Sequence, residues 1–143
     1  MPGVGKAIVY SDGASRGNPG EAGAGVVFFD SDGGRLGEIS VYLGRRTNNQ
    51  AEYMGLLLAI LGAYAQGMAD AEFRLDSELA VRQLNGEYRI KDAELRDLAN
   101  RVREACAKLD KVAFVHVPRS RNREADRLAN AAIDSRRADQ SQD

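Results

Sequence analysis

Four carboxylates stand where strands and helices of this chain are expected to meet: Asp12, Glu52, Asp76 and Asp126. Each has an ordinary explanation. Asp12-Gly13 suits a turn. Asn49-x-x-Glu52 has the spacing of a capping box. Asp76 or Ser77 suits an N-cap, and Asp126 in a first helical turn complements the helix dipole. Taken singly, caps and turns are commoner than active sites. Yet Asp12 and Asp76 follow Ala7-Ile8-Val9-Tyr10 and Phe73-Arg74-Leu75, which read as interior strands. A carboxylate at the end of such a strand is costly unless a cation pairs with it. Open α/β sheets also gather their ligands at strand ends where the connectivity changes. Spacing alone leaves open whether the four carboxylates meet.

Three other residue groups invite a chemical reading. Arg119, Arg121, Arg123 and Arg127 form a local basic stretch in a chain whose net charge is −1. On charge alone this is a solvated helix face, and it gains meaning only beside an acidic site. Cys106 falls in an apolar helical stripe and reads as a small core residue. His116, the one histidine, lies inside an apparent strand and reads as structural.

Strand character covers Ala7 to Tyr10 and ends at Asp12-Gly13, followed by a glycine-rich turn through Gly20. Gly25 to Phe29 and Arg35 to Leu43 flank the hairpin turn Ser31-Asp32-Gly33-Gly34. A helical stripe follows in Met54, Leu57, Leu58, Leu61, Tyr64 and Ala65, with Glu52 opening that helix. Ala71 to Leu75 reads as a strand and Ser77 to Leu84 as a short helix broken by Asn85-Gly86. A longer helix carries Leu95, Leu98, Val102, Ala105 and Leu109. Val112 to Val117 is a fifth strand ended by Pro118, and Asn122 is placed to cap a last helix. The order β-β-β-α-β-α-α-β-α predicts an α/β fold. Its five-stranded mixed sheet starts as an antiparallel meander of strands 1–3 and carries helices on its faces. The folded domain is expected over 1–135, with a polar, disordered tail at 136–143.

Bulk properties narrow the class. A chain of 143 residues suits one domain with its own core. Its 43% hydrophobic and 29% charged content is ordinary for a soluble protein. No apolar run approaches the roughly 18–20 residues of a membrane span. The N-terminal residues lack the basic stretch and apolar core of a signal peptide. A single cysteine forms no internal disulfide, and a cytoplasmic location is expected.

Four segments carry a family resemblance. Tyr10-Ser11-Asp12-Gly13-Ala14-Ser15-Arg16-Gly17-Asn18-Pro19-Gly20 resembles the opening signature of type 1 ribonuclease H. Thr47-Asn48-Asn49-Gln50-Ala51-Glu52, Leu75-Asp76-Ser77-Glu78 and Asn122-Arg123-Glu124-Ala125-Asp126-Arg127-Leu128-Ala129 resemble its second, third and fourth motifs. Order and separation match over about residues 6–134. The resemblance implies a ribonuclease H-like fold and an endonuclease that hydrolyses the RNA strand of RNA/DNA hybrids, leaving 5′-phosphate and 3′-hydroxyl ends. It implies that Asp12, Glu52, Asp76 and Asp126 bind two Mg²⁺ ions, for which Mn²⁺ substitutes. It further implies that Gly13 and Ala14 (through their backbone amides), Asn48, Gln50 and Glu78 meet 2′-hydroxyls or base edges of the RNA strand. Asn18 and Thr47 would hold a phosphate of the DNA strand. The expected partner is an RNA/DNA hybrid, with no membrane, no obligatory protein partner and a monomeric state.

The sequence departs from the pattern twice. Many members place a histidine in the loop before the fourth motif, and here Arg119 falls nearest that position. An arginine stays protonated, so it would steer a phosphate or metal and not act as a base. Some members also insert a Lys- and Trp-rich helix after the third motif. Here Leu84 to Lys91 runs directly to the next helix, with Tyr88, Arg89 and Lys91 as a thin substitute. Three alternatives stand beside the main reading. They are a catalytically silent nucleic-acid-binding module of this fold, a resolvase or transposase core, and a relative that also cuts double-stranded RNA.

Overall fold

The computed structural model describes residues 5–141. Strands β1 (Ala7–Gly17), β2 (Gly20–Phe29) and β3 (Arg35–Arg46) form the meander, followed by helix α1 (Asn48–Ala65). Strand β4 (Asp70–Leu75), helices α2 (Glu78–Leu84) and α3 (Ala93–Cys106), strand β5 (Lys111–His116) and helix α4 (Arg123–Ser141) complete the chain. A short 3₁₀ turn, Arg119–Arg121, joins β5 to α4. The sheet order is β3-β2-β1-β4-β5. β1 pairs antiparallel with β2 and parallel with β4, so it is the strand at which the sheet changes direction.

Alternation along the strands sorts the two faces. Ala7 and Val9 of β1, Val26 and Phe28 of β2 and Phe73 of β4 join Tyr53, Leu56 and Ile60 of α1 in the main core, which α3 closes with Ala99 and Val102. On the opposite face α4 lays Ala125, Leu128, Ala129 and Ile133 over β2 and its neighbours. The sequence-based element order and sheet type agree with this structure.

Several boundaries differ, for physical reasons. β1 does not end at Asp12-Gly13. It continues to Gly17, and β2 begins already at Gly20. The segment Gly20-Glu21-Ala22-Gly23-Ala24-Gly25 has little apolar alternation, because helices press on both its faces and only small residues fit. The cap of α1 also differs from the Asn49/Glu52 box. Thr47 is the N-cap, its Oγ1 accepting from Gln50 N at 3.1 Å while Thr47 N donates to Gln50 Oε1 at 2.9 Å. β3 extends to Arg46, so Thr47 is the last extended residue, and Glu52 is relieved of capping. Helix α4 runs through Ser141 instead of ending near 135. Residues 136–141 are mostly polar but contain no helix breaker, and Arg137 pairs with Glu21 at 2.6 Å. The remainder of the expected tail lies outside the described residues. His116 ends β5 and is exposed, so it is not a core residue; β5 is one of the sheet's two edge strands.

Candidate active site

Register brings the first two carboxylates together. Parallel pairing of β1 with β4 runs from Ala7/Ala71 to Tyr10/Arg74. Asp12 and Asp76 each lie two residues beyond that last pair, side by side where the two strands part. Asp12 is thus inside its strand, 5% exposed, and opposite Gly25 of β2.

Two glycines admit the helices that supply the others. A Cβ on Gly13 would lie 2.1 Å from the Ala51 carbonyl carbon and 2.4 Å from Glu52 N. Only a glycine lets the first turns of α1 rest on β1, which sets Glu52 beside Asp12. A Cβ on Gly25 would lie 2.0 Å from Ala125 O. That close approach seats the first turn of α4 against the strand that pairs with Asp12, and Asp126 follows directly.

Carboxylate oxygens of Asp12, Glu52 and Asp76 lie within 4.8 Å of one another. Asp126 sits against Asp12, near enough to raise its pKa through a side-chain hydrogen bond. Asp126 is also held from behind. Asn130 Nδ2 donates to Asp126 Oδ1 at 3.2 Å and to its carbonyl at 3.0 Å. Arg16 Nη2 in turn donates to Asn130 Oδ1 at 3.1 Å, while its Nη1 pairs with Asp134 at 2.6 Å.

Crowded buried carboxylates resist ionisation. Burial, then the charges of Glu52 and Asp76, push Asp12 up to about 10. Burial and Asp76 raise Glu52 to about 8, against the lowering effects of Asp12, the Gly13 amide and the Arg119 charge. A cation would relieve this repulsion. The donor set fits one, since every group is a hard oxygen, the kind that Mg²⁺ and similar ions prefer. Glu52 Oε2 is buried without a hydrogen-bond partner, as expected of an oxygen placed to coordinate.

The sequence predicts Asn122 as the cap of the last helix; it holds that position, but its side chain turns away from the helix. Its side chain is 1% exposed and turned inward. Nδ2 donates to Ser11 O at 3.0 Å and to Asp76 Oδ2 at 3.1 Å, bridging β1 to the end of β4. Asn122 O still accepts from Asp126 N at 3.1 Å, which keeps the residue at the start of α4.

The other expected contact residues line the approach in different states. Asn18 Oδ1 accepts from Asn48 N at 3.1 Å, tying the β1–β2 turn to the start of α1. Gln50 is less free than expected: its oxygen closes the capping box and its amide donates to Glu94 of α3. The Gly13 amide donates to Asp12 Oδ1 at 3.0 Å, and Ala14 is half-buried beside it. Glu78 is exposed and pairs with Arg82 at 2.9 Å. Arg119 is exposed, and its charge is felt by Glu52.

Residues 10–132 match the family described as reverse transcriptase-like. A ribonuclease HI of Halobacterium salinarum is 45% identical over 130 residues, which are 91% of this chain and 65% of that relative. The chain thus spans just under two thirds of that curated relative. The crystal structure of ribonuclease H1 from the same archaeon superposes with a TM-score of 0.90 at 45% identity, covering 92% of this chain and 99% of that one. LC11-RNase H1, solved in complex with an RNA/DNA hybrid, gives 0.86 at 42% identity, covering 90% of this chain and 97% of that one. With a family model matched over residues 10–132 and solved ribonucleases H1 superposing at 42–45% identity, the chain belongs to the type 1 ribonuclease H family, within the reverse transcriptase-like group.

Proposed function

We propose that this protein is an endoribonuclease that hydrolyses the RNA strand of RNA/DNA hybrids and leaves 5′-phosphate and 3′-hydroxyl ends. The observation that carries the reading is the meeting of Asp12, Glu52 and Asp76 oxygens within 4.8 Å, with Asp126 against Asp12. These four residues would hold two divalent cations, Mg²⁺ by preference and Mn²⁺ as a substitute. Bound there, the cations would supply Lewis-acid stabilisation of the phosphoryl oxygens and would make a coordinated water easier to deprotonate.

The protein's own part is placement and charge. Asp12 and Asp76 are fixed by strand register, and Glu52 and Asp126 by helices resting on glycines. Asn122 keeps the Asp76 carboxylate turned toward Asp12. Arg119 stands as a permanent positive charge near Glu52, suited to steering a phosphate. Gly13, Ala14, Asn48, Gln50 and Glu78 are assigned to the RNA strand, whose 2′-hydroxyl both donates and accepts. Asn18 and Thr47 are assigned to the DNA strand. Exposed Asn18 beside the start of α1 supports that assignment, whereas Gln50 would have to share its amide with Glu94.

The test is incubation with Mg²⁺ and labelled RNA/DNA hybrid, duplex DNA, duplex RNA and single-stranded RNA. Cutting confined to the RNA strand of the hybrid is the expected result. Absence of cleavage in both Mg²⁺ and Mn²⁺ would point instead to a silent binding module. Cutting of duplex RNA would widen the substrate class. We further assign the protein to the cytoplasm as a monomer needing no protein partner. No helix among the described residues is long and apolar enough to cross a membrane, and light scattering of the purified chain tests the monomer.

A further inference from the structure

Helix α4 covers β2 and its neighbours but leaves part of the same sheet face open beyond its first turn. There a cavity of about 490 Å³ opens, within the roughly 300–1,000 Å³ of small-molecule sites. Its floor is apolar and aromatic: Ile8 and Tyr10 of β1 and Val27 and Phe29 of β2. Tyr10 and Phe29 meet edge to face at 5.8 Å. The walls are the β2–β3 turn on one side and residues 120–125 on the other.

Charge in this cavity is unbalanced. Its two acids are already engaged. Asp30 Oδ1 accepts from Asp32 N and Gly34 N at 3.0 and 2.8 Å, and Glu124 is shared by Arg35 and Arg127. Arg121 and Arg123, by contrast, are exposed and have no carboxylate partner among the described residues. Arg74 lies deeper, donating to the Tyr10 hydroxyl at 2.7 Å, which leaves the phenolic proton free to be donated onward. Ser31 and Ser120 add hydroxyls at the rim. A purely apolar ligand would leave the two arginines unused, and an inorganic anion would leave the aromatic floor unused. The combination calls for a flat body of nucleobase size carrying an anionic group.

We infer that this cavity is a second binding site for a nucleoside 5′-phosphate, its ring against the Ile8, Tyr10 and Phe29 floor and its phosphate at Arg121 and Arg123. The site is separate from the carboxylate cluster, which would repel a phosphate in the absence of a cation. The two share one wall, because Asn122 lines the cavity and also holds Ser11 and Asp76.

The test uses the full isotope-labelled chain in EDTA, titrated with AMP, adenosine and inorganic phosphate and followed by NMR. AMP should saturate below about 1 mM, a modest affinity for a ligand of this size. Shifts should concentrate at Phe29, Ser31, Arg123 and the Asn122 side-chain amide. Adenosine and phosphate should each bind at least about tenfold more weakly, since each lacks half of the recognised chemistry. Arg123→Ala should weaken AMP about tenfold, and Ser31→Trp, which fills the mouth, should abolish binding in a chain that still melts cooperatively. If Ser31→Trp does not fold, Arg121→Ala takes its place with the same expectation as Arg123→Ala. Equal binding of phosphate and AMP, shifts gathered around Asp12 and Glu52, or no saturable shift would each overturn the assignment. A 5′-phosphorylated dinucleotide identifies the source: tighter binding than AMP assigns a strand end, and equal binding a free nucleotide. Either result sustains the site. The measurement requires no hydrolysis, so its failure leaves the hybrid-cleavage assay undisturbed.

Discussion

Asp12 touches more of the proposed chemistry than any other side chain, since Glu52, Asp76 and Asp126 all act on its pKa. Asp12→Asn should lower hybrid cleavage in Mg²⁺ by about a hundredfold or more, the range for losing one electrostatic stabiliser of a transition state. Hybrid binding and the circular dichroism spectrum should change little. Near wild-type turnover in this variant would sink the metal-site assignment. Arg119→Ala should cost less than any loss among the four carboxylates, because Arg119 acts through charge from an exposed position. Loss of exposed His116 should matter for neither stability nor turnover, and a crippled but folded His116→Ala protein would move the loop function to that residue. The four carboxylates were legible in the sequence because each sits in a short motif. Asn122 was legible only as part of one. Its local position predicts a cap, and nothing local shows that its amide reaches back across the sheet to Ser11 and Asp76.

Helices α1 and α4 place Glu52 and Asp126 because the strands under them carry glycine. Gly25→Ala would force Ala125 O away from a Cβ only 2.0 Å distant. Overpacking of this kind costs about 1–3 kcal/mol. A lower melting temperature should therefore come with reduced cleavage, as Asp126 moves with its helix. A variant as stable and active as the parent would show that α4 is not seated by this contact. Asn130→Ala tests the same placement without crowding. It removes the side-chain bond to Asp126 Oδ1 and unlinks Arg16. Loss of such an outer partner typically costs about 10–100-fold in activity or metal affinity. The loss should appear in kcat and in the Mg²⁺ concentration needed for activity, with the hybrid KM little changed. At this scale periodicity revealed the helices and the apolar strands. It did not reveal the full length of β1 and β2, where Gly23 and Gly25 serve the helix above and so carry no apolar pattern. The spacing to Glu52 also points to Asn49 as the cap of α1, whereas β3 stays extended through Arg46 and sets the cap at Thr47.

For the molecule as a whole, the metal-free site is a liability that the cation should remove. Asp12 and Glu52 have pKa values raised above those of the unfolded chain, so folding favours their protonated forms. That contribution is full below about pH 4 and is lost as pH rises through the raised values. In EDTA the melting temperature should fall between about pH 6 and pH 9, and fall less in Asp12→Asn, which has one of the two groups removed. Mg²⁺ should restore it in the wild type at high pH. Equal pH profiles for both proteins would mean that the cluster is not charged as described. The hold on a hybrid is the complementary whole-molecule property. Net charge is −1, so attraction to a polyanion must be local. The cations expected to supply it are Arg89, Lys91, Arg119 and Arg121, each exposed and without a carboxylate partner among the described residues. Each phosphate neutralised by such a side chain releases counterions, so the slope of log affinity against log salt counts these contacts. About three to five contacts are expected, with weak binding overall. The measurement is hybrid affinity across a salt series in Ca²⁺, chosen to support binding with little cleavage. Lys91→Ala and Arg119→Ala should each reduce the slope by about one. A slope unchanged in both would place the nucleic-acid surface on other residues, and affinity that is tight and nearly independent of salt would replace charge with stacking as the source of grip.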